Sequence, residues 1–116
     1  MAMRMNEAMT QAAGHVTVAP QVLSALVHMA LGEVPGIARL GSGPRTRAGR
    51  RGEGVALRIE PHGVSADCFI IALADTNLLD LGIAVQATVA AVIRELAGMA
   101  VHEVNVYIQD VEAGNG

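Results

Sequence analysis

Residues 55–73, VALRIEPHGVSADCFIIAL, decide the fold. Val55, Leu57 and Ile59 alternate with Ala56, Arg58 and Glu60, the period of a strand with one buried face. Pro61-His62-Gly63 reverses the chain, so the apolar run from Val64 to Leu73 returns as the second arm of a hairpin. Cys68 has the parity of Val64 and Ile70 and reads as a small core hydrophobe. Phe69 and Ile71 share the opposite parity with Ser65 and Asp67.

Downstream, Ala74-Asp75-Thr76-Asn77 leads into a helix from Leu78 to about Ala97. Its core face carries Leu78, Leu81, Val85, Val89, Val92 and Leu96, and Gly98 is the stop. Val101, Val104, Val106 and Ile108 supply the last strand. Upstream, Ile37–Leu40 is a short apolar run, and Gly41–Gly54, rich in Gly and Arg without hydrophobic anchors, reads as a mobile loop. Pro20 opens a first helix over Pro20–Glu33, with Val22, Leu23, Leu26, Val27 and Ala30 on one stripe and Pro35-Gly36 as the breaker. Val16 and Val18 alternate with Thr17, which predicts a short strand over His15–Ala19. Residues 1–13 read as a flexible N-terminal tail, 14–112 as a single domain and 113–116 as a C-terminal tail.

These elements predict an α+β fold of order β-α-β-β-β-α-β. Its sheet is mixed but mostly antiparallel, with two helices packed on one face. Parity places Val16, Val18, Val55, Leu57, Ile59, Val104, Val106 and Ile108 under the helices. Thr17, Arg58, Glu60, Asn105, Tyr107 and Gln109 go to the other face.

Composition narrows the function. The 116 residues are 52% apolar but only 2% aromatic, so the core is built from small and branched side chains. The net charge of −3 excludes a globally basic nucleic-acid binder, and all 8 basic residues are Arg. Cys68 is alone, which removes an intramolecular disulfide and fits a reducing cytoplasm. The N-terminal stretch lacks the apolar core of a signal peptide, and Asp80, Gln86, Arg94 and Glu95 interrupt the best candidate membrane span, Leu78–Val101. A soluble protein is expected.

Chemistry has little to stand on. His15, His28, His62 and His102 are scattered, with no HExxH, CxxC or paired acidic motif, so no metal, cofactor or catalytic residue is assigned. Cys68 has no base nearby in the sequence to activate it as a nucleophile. The glycines of 41–54 do not form a phosphate loop, which needs a Lys this chain lacks. Arg45, Arg47, Arg50 and Arg51 make a dense cationic cluster, read either as a solvated tether or as an anion-binding site for lipid or nucleic acid. With no interleaved aromatics for base stacking, nucleic acid is the weaker fit.

The second helix carries the informative anomaly. Its flank away from the core holds Leu79, Ile83, Ala87, Ala90 and Ala97, and a helix apolar on two sides is normally buried on two sides. The alternatives are an interface with a partner or a second copy, or simply Ala as a good helix former. Phe69, Ile71 and Tyr107 form a second candidate contact on the open sheet face, unless a loop or tail folds over them.

The segment GHVTVAPQVLSALVHMALGEVPGIARL resembles the opening of the alkaline shock protein family, bacterial proteins of the envelope stress response. GVSADCFIIALADTNLLDLGIAVQATVAAVIRELAGMAVHEVNVYIQDV is closer still, with that family's Val-Gln-x-x-Val helix, Leu/Met-x-Gly turn and Glu-Val-Asn-Val-x-Val final strand. Gln86, Gly98 and Val104-Asn105-Val106 carry the match, which spans about Gly14 to Glu112. Two departures stand out: the second helix has Ala where relatives tend to carry Glu and Lys, and Ala74-Asp75 replaces a Tyr-Gly. The resemblance implies a cytoplasmic, non-enzymatic scaffold that self-assembles into a homo-oligomer and reaches the membrane through a membrane-anchored partner.

Overall fold

The computed structural model describes residues 14, 16–45 and 51–114. The first helix, α1 (Pro20–Leu31), starts on Pro20 as expected and ends two residues short of Glu33. It is followed by β1 (Ile37–Leu40), β2 (Ser42–Arg45), β3 (Arg51–Glu53), β4 (Val55–Glu60), β5 (Gly63–Leu73), α2 (Leu78–Ala91), a π-helical turn over Val92–Leu96, and β6 (Val101–Glu112).

β5 is the axis of the sheet. It pairs antiparallel with β4 in a continuous register from Val55↔Cys68 to Glu60↔Gly63, and further along the same strand with β1. On its other side it pairs in parallel with β6 over most of its length, α2 providing the crossover. The α+β fold with a mostly antiparallel sheet is as predicted, but the predicted strand at His15–Ala19 is not: Val16–Ala19 belongs to no strand, and Val16 is 96% exposed. His15 lies outside the described residues. Two alternating valines cannot hold a strand without pairing, and Val16–Ala19 pairs with none of the strands of the sheet.

Both helices cover one sheet face. Leu23, Val27 and Leu31 of α1 and Leu81, Val85 and Val89 of α2 meet Val64, Ala66, Cys68, Ile70 and Ala72 of β5, and all are buried. Every second residue of β5 is thus a core residue, as the hairpin parity requires. Val104, Val106 and Ile108 pack against this core from β6. Ile59, by contrast, expected under the helices, is 43% exposed and shares an open hollow with Val16, Thr17 and Val18.

The segment Gly41–Gly54, read as a mobile loop, is corrected in part. Its ends form a two-stranded antiparallel ribbon, Ser42 opposite Glu53 and Arg45 opposite Arg51. Backbone bonds from Gly41 N–H to Phe69 O and from Phe69 N–H to Gly54 O anchor the ribbon base to β5. Arg47 and Arg50 lie outside the described residues.

The second correction concerns the end of the long helix. An α-helix running to Ala97 would place Leu96 over the core, seven residues after Val89. The π turn inserts one extra residue into that last turn, so the register slips: Ile93 is fully buried, Ala97 packs against the core, and Leu96 is 64% exposed. Gly98, with φ +66°, ends the helix in the left-handed conformation expected of its stop.

Candidate functional site

The expected interface residues divide by depth. On α2, Leu79 and Ile83 are 74% and 55% exposed, Ala87 is exposed, and Ala90 is half-buried. Ala97 packs against the core instead, moved inward by the π turn. Leu78, Leu79, Gly82, Ile83 and Gln86 face Val106 and Ile108 across a groove of about 240 Å³ between α2 and β6. This groove is lined by Val106 and Ile108 of β6, which among the described residues pairs with β5 alone.

Gln86 bridges the groove. Its Nε2 donates to the carbonyl of Val104 at 3.2 Å, tying the helix flank to the last strand. Periodicity gave Gln86 no role beyond a polar residue on an apolar helix; the spacing it shares with Val104-Asn105 in the family pattern was the one available signal.

The open-face cluster is mostly internal. Phe69 and Ile71 are buried, and the Phe69 ring stacks on Tyr107 with centroids 5.1 Å apart. The β2 arm crosses above it: a Cβ placed on Gly43 would lie 2.7 Å from the Phe69 ring. Gln109 fastens the arm, its Oε1 accepting from Ser42 N–H and its Nε2 donating to Ser42 O. The covering-loop alternative therefore holds for Phe69, and of the three residues only Tyr107 keeps substantial exposed surface.

Beside it lies a charged network that strand parity placed on this face but did not connect. Asp67 accepts from Arg58 at 2.7 Å and from Asn105 at 2.9 Å, and Glu103 lies 3.5 Å from the same guanidinium. Partial burial pushes the Asp67 carboxyl up, but the bonds from Asn105 and Arg58 outweigh it and hold the group below the usual carboxylate range. Hydrogen bonding to Asp67 raises Arg58 correspondingly.

Cys68 is fully buried in the core, where desolvation, aided by the charge of Asp67, pushes its thiol up to about 12. A thiol so disfavoured as thiolate is a poor nucleophile at neutral pH. The fold brings two scattered histidines together: His62 and His102 meet edge to face at 4.7 Å, with Glu60 3.6 Å from His62. Among the described residues no group of three or more His, Cys, Asp or Glu is placed to hold a metal ion. No described helix is long and apolar enough to cross a membrane.

A family profile settles the broader kinship, matching residues 8–113, nearly the whole chain. The chain belongs to the alkaline shock protein 23 family, described as having a cell envelope-related function. A curated relative, the uncharacterized protein YqhY of Bacillus subtilis (strain 168), is 22% identical over 105 residues, covering 85% of this chain and 78% of YqhY. Among solved structures, a triply substituted MamM CTD superposes with a TM-score of 0.54 at 18% identity, covering 82% of this chain and 95% of that one. A zinc form of a singly substituted MamM CTD gives 0.53, also at 18% identity, over 83% and 87% of the two chains. At such identity the likeness speaks for the fold alone.

Proposed function

We propose that this member of the alkaline shock protein 23 family is a non-enzymatic scaffold of the bacterial cell envelope stress response. It works in the cytoplasm by self-association and by docking to a membrane-anchored partner, and it needs no cofactor. The observation that carries this reading is the solvent-facing flank of α2, where Leu79 and Ile83 stand exposed beside an apolar groove and a strand that among the described residues is paired on one side. Large aliphatic side chains grouped at such an edge favour association with another protein surface. The buried, deactivated Cys68 and the absence of a metal-holding cluster among the described residues are consistent with a protein that binds rather than catalyses.

Size-exclusion chromatography with light scattering tests the self-association. The expected result is an oligomer at about 100 µM that Ile83→Glu splits without altering far-UV circular dichroism; a monomeric wild type at that concentration overturns it. Affinity capture from membrane and cytoplasmic fractions tests the docking, with an envelope protein recovered as the expected result.

A second reading is favoured by one feature of the ribbon. Its backbone register pairs Arg45 with Arg51, and with Arg47 and Arg50 between them in the sequence four arginines fall within seven positions, a charge density that would hold lipid phosphates. Flotation with anionic vesicles at low salt, lost on replacing the four arginines with Ser, is the expected outcome; no flotation makes the segment a tether.

A further inference from the structure

α1 buries Leu23, Val27 and Leu31 and turns its other side outward. On that side Gln21, Ala25, His28 and Met29 follow one another at i, i+4, i+7 and i+8, and with Ser24 they line a hollow of about 480 Å³. Ser24 and Ala25 keep its floor low, so another helix can approach closely. Met29 stands 71% exposed at its rim. His28 is half-buried here, yet its Nε2 is closed off from water and has no hydrogen-bond partner among the described residues. A buried ring nitrogen on the outer side of a helix calls for a polar group laid over it.

The residues preceding Gly14 have the matching pattern. Met1, Met5, Ala8, Met9 and Ala12 repeat the spacing i, i+4, i+7, i+8 and continue it to i+11, which on a helix gathers them into one apolar stripe. Met3, Asn6, Glu7 and Thr10 fall away from the stripe, and Arg4 and Gln11 lie along one border. Expected as a tail, these thirteen residues hold four of the six methionines of the chain, side chains that adapt to irregular surfaces. Gly14, with φ +107°, supplies the positive-φ residue on which such a helix ends.

We infer that residues 1–13 form an amphipathic helix packed antiparallel along the outer face of α1, with Met9 over Ala25 and Met5 toward Met29.

The tether sets the direction and favours this occupant. Val16, Thr17 and Val18 line a hollow with Pro20, Ile59, Ala97 and Met99, at the end of α1 where the chain enters it. Ala13 lies three residues before Val16 and is therefore held within about 10 Å of it. A helix that arrives there along α1 must run against α1, and twelve residues at about 1.5 Å each span about 18 Å, the length of the twelve-residue α1 itself. A segment joined by so short a linker meets this face at a roughly millimolar effective concentration, which places it ahead of an untethered partner with a similar stripe. Arg4 and Gln11 carry N–H donors of the kind the His28 Nε2 lacks. The face is separate from the α2 flank, so the inference stands apart from the self-association proposed above.

Paired cysteines in the full chain test the contact. Met5→Cys or Met9→Cys, combined with Ala25→Cys, is expected to close a disulfide within one chain under mild oxidation at least about tenfold faster than Glu7→Cys with Ala25→Cys, because Glu7 lies away from the stripe. Native Cys68, buried in the core, stays out of the reaction. A second measurement needs no added cysteine: oxidation of Met29 by dilute peroxide, followed by peptide mass spectrometry. It should run at least about threefold faster in the Met5→Glu/Met9→Glu variant than in wild type, since two carboxylates on the stripe release it from α1. Equal rates for the cysteine pairs, or a disulfide that forms mainly between chains, overturn the inference. Met29 oxidation unchanged by the double substitution overturns it as well.

Discussion

The π turn that ends the long helix makes an unusually sharp prediction, because it parts two aliphatic residues that a regular helix would both turn inward. Ile93 is fully buried and Leu96 is 64% exposed. Truncating a buried Ile to Ala removes three heavy atoms from the core and leaves a cavity, which costs about 2–5 kcal/mol. Truncating an exposed Leu in a helical segment changes stability by only about 0.5 kcal/mol. At roughly 4 °C per kcal/mol for a domain of this size, Ile93→Ala lowers Tm by about 8–20 °C and Leu96→Ala by about 2 °C at most. Urea and thermal unfolding followed by circular dichroism at low-micromolar protein would measure both, with the urea m-value checking that the unfolded states are comparable. A continuous α-helix through Ala97 would set Ile93 and Leu96 within about 60° of each other on the core stripe that carries Val89, and so predicts comparable losses for the two. Equal losses, or a larger loss for Leu96→Ala, would therefore refute the register slip.

Three further outcomes follow from the contacts described. Asp67→Asn should cost about 1 kcal/mol at pH 7, because a carboxylate held by Arg58 and Asn105 loses its charge. Because the folded-state carboxyl sits below its ordinary value, its contribution is full above about pH 5 and disappears as pH falls through the folded value, so wild type and variant should converge in acid unfolding curves. Asp75 adopts φ +68° in the turn before α2, a conformation that glycine takes without steric cost; Asp75→Gly should leave the fold intact and stabilise it by up to about 1 kcal/mol, read from urea midpoints. Gly43→Leu places a side chain where the Phe69 ring already lies and should displace the β2 arm, altering the emission of Tyr107, the one tyrosine in a chain without tryptophan.

Legibility in the sequence followed how local the deciding physics was. The β4–β5 hairpin was readable because two-residue alternation and a Pro-His-Gly turn are written within one stretch, and β4 begins and ends where the alternation does. The start of α1 was readable from Pro20. Elements set by distant partners were not. Val16 and Val18 alternate like a strand, but alternation does not supply a partner, and Val16–Ala19 pairs with none of the strands. Gly41–Gly54 reads as a loop because its ribbon is held by backbone bonds to Phe69 and by Gln109, far along the chain. The π turn is invisible to a fixed 3.6-residue period, which sent Leu96 inward and overlooked Ile93. At the candidate site, Leu79 and Ile83 were legible as a second apolar flank, whereas the neighbouring edge of β6 and the Gln86 bridge to Val104 needed the topology of the sheet.

The central position of β5 has a kinetic consequence. Its two edges are shared among β1, β4 and β6, and its inner side chains meet both helices. No fluctuation can free its amides without dismantling most of the molecule, so their exchange with deuterated solvent should occur only through global opening. The β2–β3 ribbon hangs from a few hydrogen bonds and should exchange orders of magnitude sooner. The chain thus joins a slow-breathing body to a quickly opening arm, and whatever meets the arm first does so without disturbing the body's stability.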